Sequence, residues 1–170
     1  MTSLAVMKFK IGKSMTEQFT FSELDPVRLH EALSLVRDVF LEFQAPGYFK
    51  EGVQEFMRFT EPETICAMLS ENKMRIWTCI CTGRIVGVLA ARNDHIHLLF
   101  VDKRFHRNGI ARQLFNRMVE NFNTSEVTVY SSPYAVEAYR KLGFADTDKE
   151  QIVNGMRMIP MKFNRPQFDL

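Results

Sequence analysis

The run LLFVDKRFHRNGIARQLF, residues 98–115, joins an apolar strand-like segment, a short basic loop containing Gly109, and the opening of a helical apolar pattern. A helix start leaves backbone N–H groups without carbonyl partners, and its aligned peptide dipoles favour negative charge. Gly109 has no side chain and Ala111 only a methyl group, so an anion can approach the main chain closely. Arg104, Arg107 and Arg112 add positive charge to the same stretch. Strand, loop and helix in this order predict an anion cradle suited to phosphate. The plainer alternative is a glycine turn beside solvated arginines. The loop lacks the Gly-Lys-Ser/Thr ending of a Walker loop and the repeated glycines of a dinucleotide fingerprint.

The surrounding pattern alternates between helix and strand periods. FTFSEL reads as a strand, and Asp25-Pro26 supplies a cap and a first-turn proline for a helix whose stripe is Leu29, Leu33, Val36, Phe40 and Leu41. Residues 50–59 and 62–71 read as two short helices, the second opened by Thr60 or Glu61 ahead of Pro62. MRIWTCIC, RIVGVLAAR and HIHLLFV, punctuated by Thr82-Gly83 and Asn93-Asp94, predict an antiparallel meander. A helix through Ile110, Leu114 and Met118 follows, then the strand VTVY, the helix PYAVEAYRKL and a last strand GMRMIPMKF. This order predicts an α/β (α+β) domain with a mixed central sheet flanked by helices. Its expected bounds are 19–163, with an N-terminal extension over 1–18, partly ordered or strand-forming, and a tail over 164–170.

Charge and cysteine usage narrow the function classes. A net charge of +2 is too small to indicate general nucleic-acid binding, and no apolar run has membrane-span length. No signal-peptide pattern precedes the first strand, so cytoplasmic residence is expected. Cys66, Cys79 and Cys81 match no zinc spacing, which predicts reduced, packed thiols and no metal.

Two segments together resemble the signatures of GNAT-type N-acetyltransferases. His106-Arg107-Asn108-Gly109-Ile110-Ala111 is similar to the Gln/Arg-x-x-Gly-x-Gly/Ala motif that binds the pyrophosphate of acetyl-coenzyme A, with His106 at the usual Gln/Arg position. SSPYAVEAYRKLGF resembles the family's later helix, with Ala135, Tyr139, Gly143 and Phe144 in register and Ser132 where asparagine is frequent. The resemblance in element order covers about residues 19–163, and its specific motifs occupy 98–115 and 131–144.

The resemblance implies a GNAT fold with acetyl-CoA as cosubstrate, bound between two splayed parallel strands, HIHLLFV and VTVY. It implies that the pantetheine arm pairs with the backbone at Leu99, Phe100 and Val101, and that Arg107, Asn108, Gly109, Ile110, Ala111 and Arg112 hold the diphosphate, with Ser132 a further cofactor contact. It also implies direct attack of a primary amine, of a small molecule or a protein, on the thioester in a ternary complex. Tyr139 is then the acid toward the departing thiolate, His97 and, second, His95 are candidate bases, and the main chain around Phe100 is the oxyanion donor. Tyr48, Phe49 and Phe56 lie in the segment that varies among such enzymes and are expected to line the acceptor pocket, while Glu42, Glu51 and Glu55 would either attract a cationic amine or form a solvated face. Two other readings stay open: a non-catalytic acyl-CoA-binding GNAT-like regulatory domain, and a basic module contacting nucleic-acid phosphates. Exposed sheet edges also allow a homodimer.

Overall fold

The structure is a computed structural model that describes residues 5–11, 15–122 and 124–165. The elements run β1 (Ala5–Ile11), β2 (Met15–Glu23), α1 (Leu29–Phe43), α2 (Lys50–Phe59), α3 (Pro62–Ser70), β3 (Arg75–Cys81), β4 (Arg84–Arg92) and β5 (His95–Val101). They continue with α4 (Ile110–Phe122), β6 (Glu126–Ser131), α5 (Val136–Leu142), β7 (Ala145–Asp146), β8 (Gln151–Val153) and β9 (Met156–Asn164). One sheet carries the order β1-β2-β3-β4-β5-β6-β9-β7, with β8 paired to β9. Among the described pairs only β5 with β6 is parallel.

Both faces of the sheet are covered because its central strands alternate apolar residues to opposite sides. Along β4, Leu89 and Ala91 join a core with Leu114 and Met118 of α4 and Tyr139 of α5. Val88 and Ala90 join the opposite core with Leu33, Val36 and Phe40 of α1 and Ile65 of α3. Burying a Leu, Val or Phe side chain contributes roughly 1.5–3 kcal/mol, so these stripes outweigh intrinsic propensity in holding the helices.

The predicted elements are found, with adjustments at their edges. Leu41 is 47% exposed, because it lies off the stripe formed by Leu29, Leu33, Val36 and Phe40. The helix expected from Pro133 begins at Val136, since Ala135 N–H bonds to Ser132 O and closes a turn first. Thr60 does not open α3: it is buried, and its hydroxyl donates to Phe56 O at the end of α2. Cys66 is exposed on α3, whereas Cys79 and Cys81 are buried. Strands β7 and β8 are additional to the expected order. Asn154-Gly155, both at positive φ, joins β8 to β9 as a hairpin turn. Of the expected tail, Asn164 closes β9 and Arg165 N–H bonds to Ser125 O, while 166–170 lie outside the described residues.

One irregularity in the meander positions chemistry. Leu98 pairs with Ala90 and Ile96 with Ala91, leaving His97 as an extra residue opposite β4. Such a bulge reverses the in–out alternation. Accordingly Ile96 packs with the α4 and α5 core, Leu98 and Phe100 pack with the α1 and α3 core, and His97 projects to the sheet surface.

Candidate active site

Strands β5 and β6 are paired only at His95↔Thr128 and Ile96↔Val129. Beyond those positions they diverge and leave a cleft of about 430 Å³, bounded by Leu99, Phe100 and Val101 on one side and by Ala138, Tyr139 and Leu142 on the other. Arg107, Gly109, Ile110, Ala111 and Arg112 line the same cleft. The first bond of the α4 ladder runs from Gln113 N–H to Gly109 O, so the N–H groups of Ile110, Ala111 and Arg112 precede the ladder. Gly109 has φ +72°, and a methyl group built on it would meet nothing within 4 Å. Glycine is therefore required there for its backbone conformation, and the space beside it is open to a ligand.

The charged and polar side chains of this loop divide into two groups. Arg107 is exposed and has no ion-pair partner among the described residues, and Arg112 donates to Lys141 O. Arg104 is diverted from the cleft: it forms an ion pair with Asp102 at 2.6 Å. The Asn108 side chain donates to Phe105 O at 3.1 Å, so it holds the loop rather than lining the cleft. His106 bonds through Nε2 to Val101 O at 2.9 Å, fastening the loop to the end of β5. Tyr134 stacks on Phe43 across the cleft entrance with ring centroids 5.2 Å apart. No local pattern points to that stack, because its partners are 91 residues apart.

A second cavity, of about 220 Å³, continues from the cleft toward α2 and β9. Tyr48, Phe56 and Phe59 form one wall, Met156 and Met158 another, and His95, His97 and Tyr130 a third. Gln44, Leu99, Phe100, Ala135 and Tyr139 line both spaces. Phe49 is not among them; it is 54% exposed and faces an outer groove with Glu51 and Ile152. Glu55 reaches the cavity, while Glu51 is in the outer groove and Glu42 pairs with Lys103 on the surface. Phe59, Tyr130, Met156 and Met158 were missed as wall residues. The N-G turn ahead of β9 is the signal that would have brought the two methionines to this edge.

Burial sets the protonation states. Tyr139 is 6% exposed, and burial, assisted by nearby Tyr48, pushes its phenol well above the ordinary value. Tyr48 is pushed up to about 12 by burial, with Arg157 opposing the shift. His97 keeps solvent access at the cavity mouth, yet the apolar surroundings that include Phe59, stacked 5.7 Å away, depress its imidazole; His95 and Arg92 act in the same direction. His95 is lowered by burial too, and its Nδ1 lies 2.8 Å from Thr128 Oγ1. Both imidazoles are therefore neutral at pH 7, each with a lone pair free to act as a base, and the same desolvation makes them weaker bases than a free imidazole. Cys79 is pushed up to about 12 by burial and is an inert thiol; no cysteine lines either space. Ser132 is 5% exposed at the wall of the cavity, and its Oγ has no hydrogen-bond partner among the described residues. An orphaned buried hydroxyl is costly and marks a place for a ligand polar group.

A family model described as an acetyltransferase (GNAT) domain matches residues 44–165. The chain belongs to the GNAT acetyltransferase family. It is 28% identical over 80 residues to the uncharacterised N-acetyltransferase YafP of Escherichia coli K12. That match takes in 47% of this chain and 52% of YafP, so the chain corresponds to about half the length of this curated relative. The fold is similar to that of a GCN5-related N-acetyltransferase from Rhodopseudomonas palustris, with a TM-score of 0.70 at 18% identity, covering 85% of this chain and 94% of that one. It is equally similar to the PaiA N-acetyltransferase of Thermoplasma acidophilum in complex with coenzyme A, with a TM-score of 0.70 at 14% identity, covering 86% and 98% of the two chains. The GNAT fold expected from the two motifs is thereby established. Among the described residues no group of three or more His, Cys, Asp or Glu could hold a metal, and no helix is long and apolar enough to cross a membrane.

Proposed function

We propose that this protein transfers the acetyl group of acetyl-CoA to a primary amine by direct attack in a ternary complex. The observation that carries this reading is that Tyr139 borders both the cleft beneath the α4 N-terminus and the aromatic cavity beside it. A donor in the cleft and an acceptor in the cavity would meet at that ring. The residues fit coenzyme A: open main-chain N–H groups and Arg107 suit a diphosphate, the separated edge of β5 suits the two amides of pantetheine, and the unpartnered Ser132 hydroxyl suits a further polar contact.

In the reaction the amine nitrogen attacks the thioester carbonyl carbon, a C–N bond forms, and the C–S bond breaks. The apolar cavity favours the neutral amine, because desolvation disfavours an ammonium. Once the C–N bond has formed, the nitrogen carries positive charge and is far more acidic; neutral His97 is the group proposed to accept its proton. Tyr139 supplies a proton to the departing thiolate. Burial raises the phenol pKa and so weakens Tyr139 as an acid, and a thiolate held against the same buried ring would be made more basic by the same desolvation. The absence of a cysteine from both linings argues against a cysteine acyl-enzyme, and Tyr139 at the junction supports catalysis over simple acyl-CoA binding. A cytoplasmic setting, where acetyl-CoA is available, accords with this chemistry.

The test is incubation of the full chain with acetyl-CoA and a panel of amines, reading thiol release and acetylated product by mass spectrometry. Stoichiometric thiol and acetylamide support the reading. Tight coenzyme A binding without transfer to any amine would assign the chain to acyl-CoA sensing instead.

A further inference from the structure

Resting on the acetyltransferase reading, we infer that the acceptor is a monoamine whose amino group is carried on a single aromatic or branched apolar group. Three features of the acceptor cavity lead there. Its volume of about 220 Å³ is below the roughly 300–1,000 Å³ of pockets that take drug-sized ligands, and somewhat above the roughly 150 Å³ that holds a benzene ring. One ring with a short chain fills it. Its walls are aromatic and thioether side chains: Tyr48, Phe56, Phe59, Tyr130, Met156 and Met158. Phe56 is braced from behind, since it stacks on buried Phe40 with centroids 3.7 Å apart, and Phe59 is held within the lining by its stack on His97.

Charge supplies the third feature. Among the described residues Glu55 is the only carboxylate in the lining, and it is already bonded by Arg58 at 3.0 Å. A second ammonium on the acceptor would thus find one carboxylate, already shared with Arg58, in a cavity walled mainly by apolar side chains, and would be costly to desolvate there. Among the described residues no lysine or arginine lines the cavity either, so a carboxylate on the acceptor would be unpaired. Polyamines, aminoglycosides and free amino acids are disfavoured on the same ground. The uncharged His95 and His97 leave an arriving amine unrepelled.

The experiment measures kcat/KM with saturating acetyl-CoA for 2-phenylethylamine, isopentylamine, spermidine, kanamycin and phenylalanine. The expected result is at least a tenfold preference for the first two. Phe59→Ala should then lower kcat/KM for 2-phenylethylamine about tenfold with coenzyme A affinity unchanged. Met158→Glu, which adds a carboxylate without emptying the cavity, should shift the phenylethylamine-to-spermidine ratio at least tenfold toward spermidine. Best turnover of spermidine, kanamycin or phenylalanine overturns the inference and leaves the acetyltransferase reading intact. So would a phenylethylamine preference that neither variant alters, because recognition would then lie elsewhere. Failure to acetylate any amine, with coenzyme A bound, removes the acetyltransferase reading and this inference together.

Discussion

Gly52 and Gly155 meet backbone to backbone: a methyl group built on Gly52 would lie 2.2 Å from Gly155 O, and one built on Gly155 would lie 2.6 Å from Gly52 N. Phe49 N–H, just before α2, also bonds to Gly155 O at 3.2 Å. This contact seats α2 on the β8–β9 turn, and so sets the distance between Phe56 and Phe59 on one wall and Met156 and Met158 on the other.

Gly52→Ala should push α2 off the hairpin. The nearest obstacle is backbone, which cannot rotate away, so an overpacking cost of about 1–3 kcal/mol is expected. The KM for the acceptor amine should rise about tenfold while coenzyme A affinity stays within twofold, because the cleft under α4 is built from other elements. Steady-state kinetics alongside coenzyme A calorimetry checks the separation; a parallel loss of both would show that α2 supports the whole fold and not the acceptor wall alone.

Tyr139→Phe removes a hydroxyl and leaves a ring that packs against Phe144, 5.3 Å away. Loss of a positioned acid typically costs about 100-fold or more in rate. We expect kcat to fall by at least tenfold with coenzyme A affinity nearly unchanged. An undiminished kcat would leave Tyr139 as a packing residue only.

Ser132→Ala tests the orphaned hydroxyl. In the free protein its Oγ is buried without a partner, so its removal should leave thermal stability unchanged or slightly higher. If the hydroxyl bonds the bound cofactor, coenzyme A affinity should fall about fivefold, equivalent to roughly 1 kcal/mol. A lower Tm with unchanged affinity would assign Ser132 to structure.

The histidine pair predicts a titration. His97 has its folded-state pKa depressed below its ordinary 6.5, so the unfolded chain binds a proton first as pH falls. Stability linked to His97 is therefore complete above 6.5 and is lost on acidification toward the folded value. Imidazole NMR should show His97 neutral at pH 6, and Phe59→Ala, by admitting water, should move its midpoint upward. A midpoint at or above 6.5 in the unaltered protein would exclude the desolvated environment described above.

The fold was legible wherever period and punctuation agreed. Asp25-Pro26 opens the first helical segment, Thr82-Gly83 turns β3 into β4, and the stripe Ile110, Leu114, Met118 buries α4. The cleft beneath the start of α4 was legible in part because one of its walls is local: a strand end, a positive-φ glycine and a helix start lie within fifteen residues. The aromatic cavity was only half legible, since it is assembled from α2, β5, β6 and β9, and proximity between such distant segments leaves no local pattern. Phe49 illustrates the limit. It adjoins Tyr48 in the chain, but Tyr48 packs edge-on against Phe40 at 5.6 Å while the extended backbone at Phe49 turns its ring outward. Arg104 illustrates another, because its guanidinium pairs with nearby Asp102 and does not line the cleft.

The decisive observation is where coenzyme A binds along the main chain. Titrating the isotopically labelled protein with coenzyme A and following backbone amide resonances should move Arg107 to Arg112 most, with Leu99 to Val101 and Ser132 also shifting. Perturbations confined to the outer groove around Phe49, Glu51 and Ile152, with the residues ahead of α4 unmoved, would contradict a diphosphate held at that helix start.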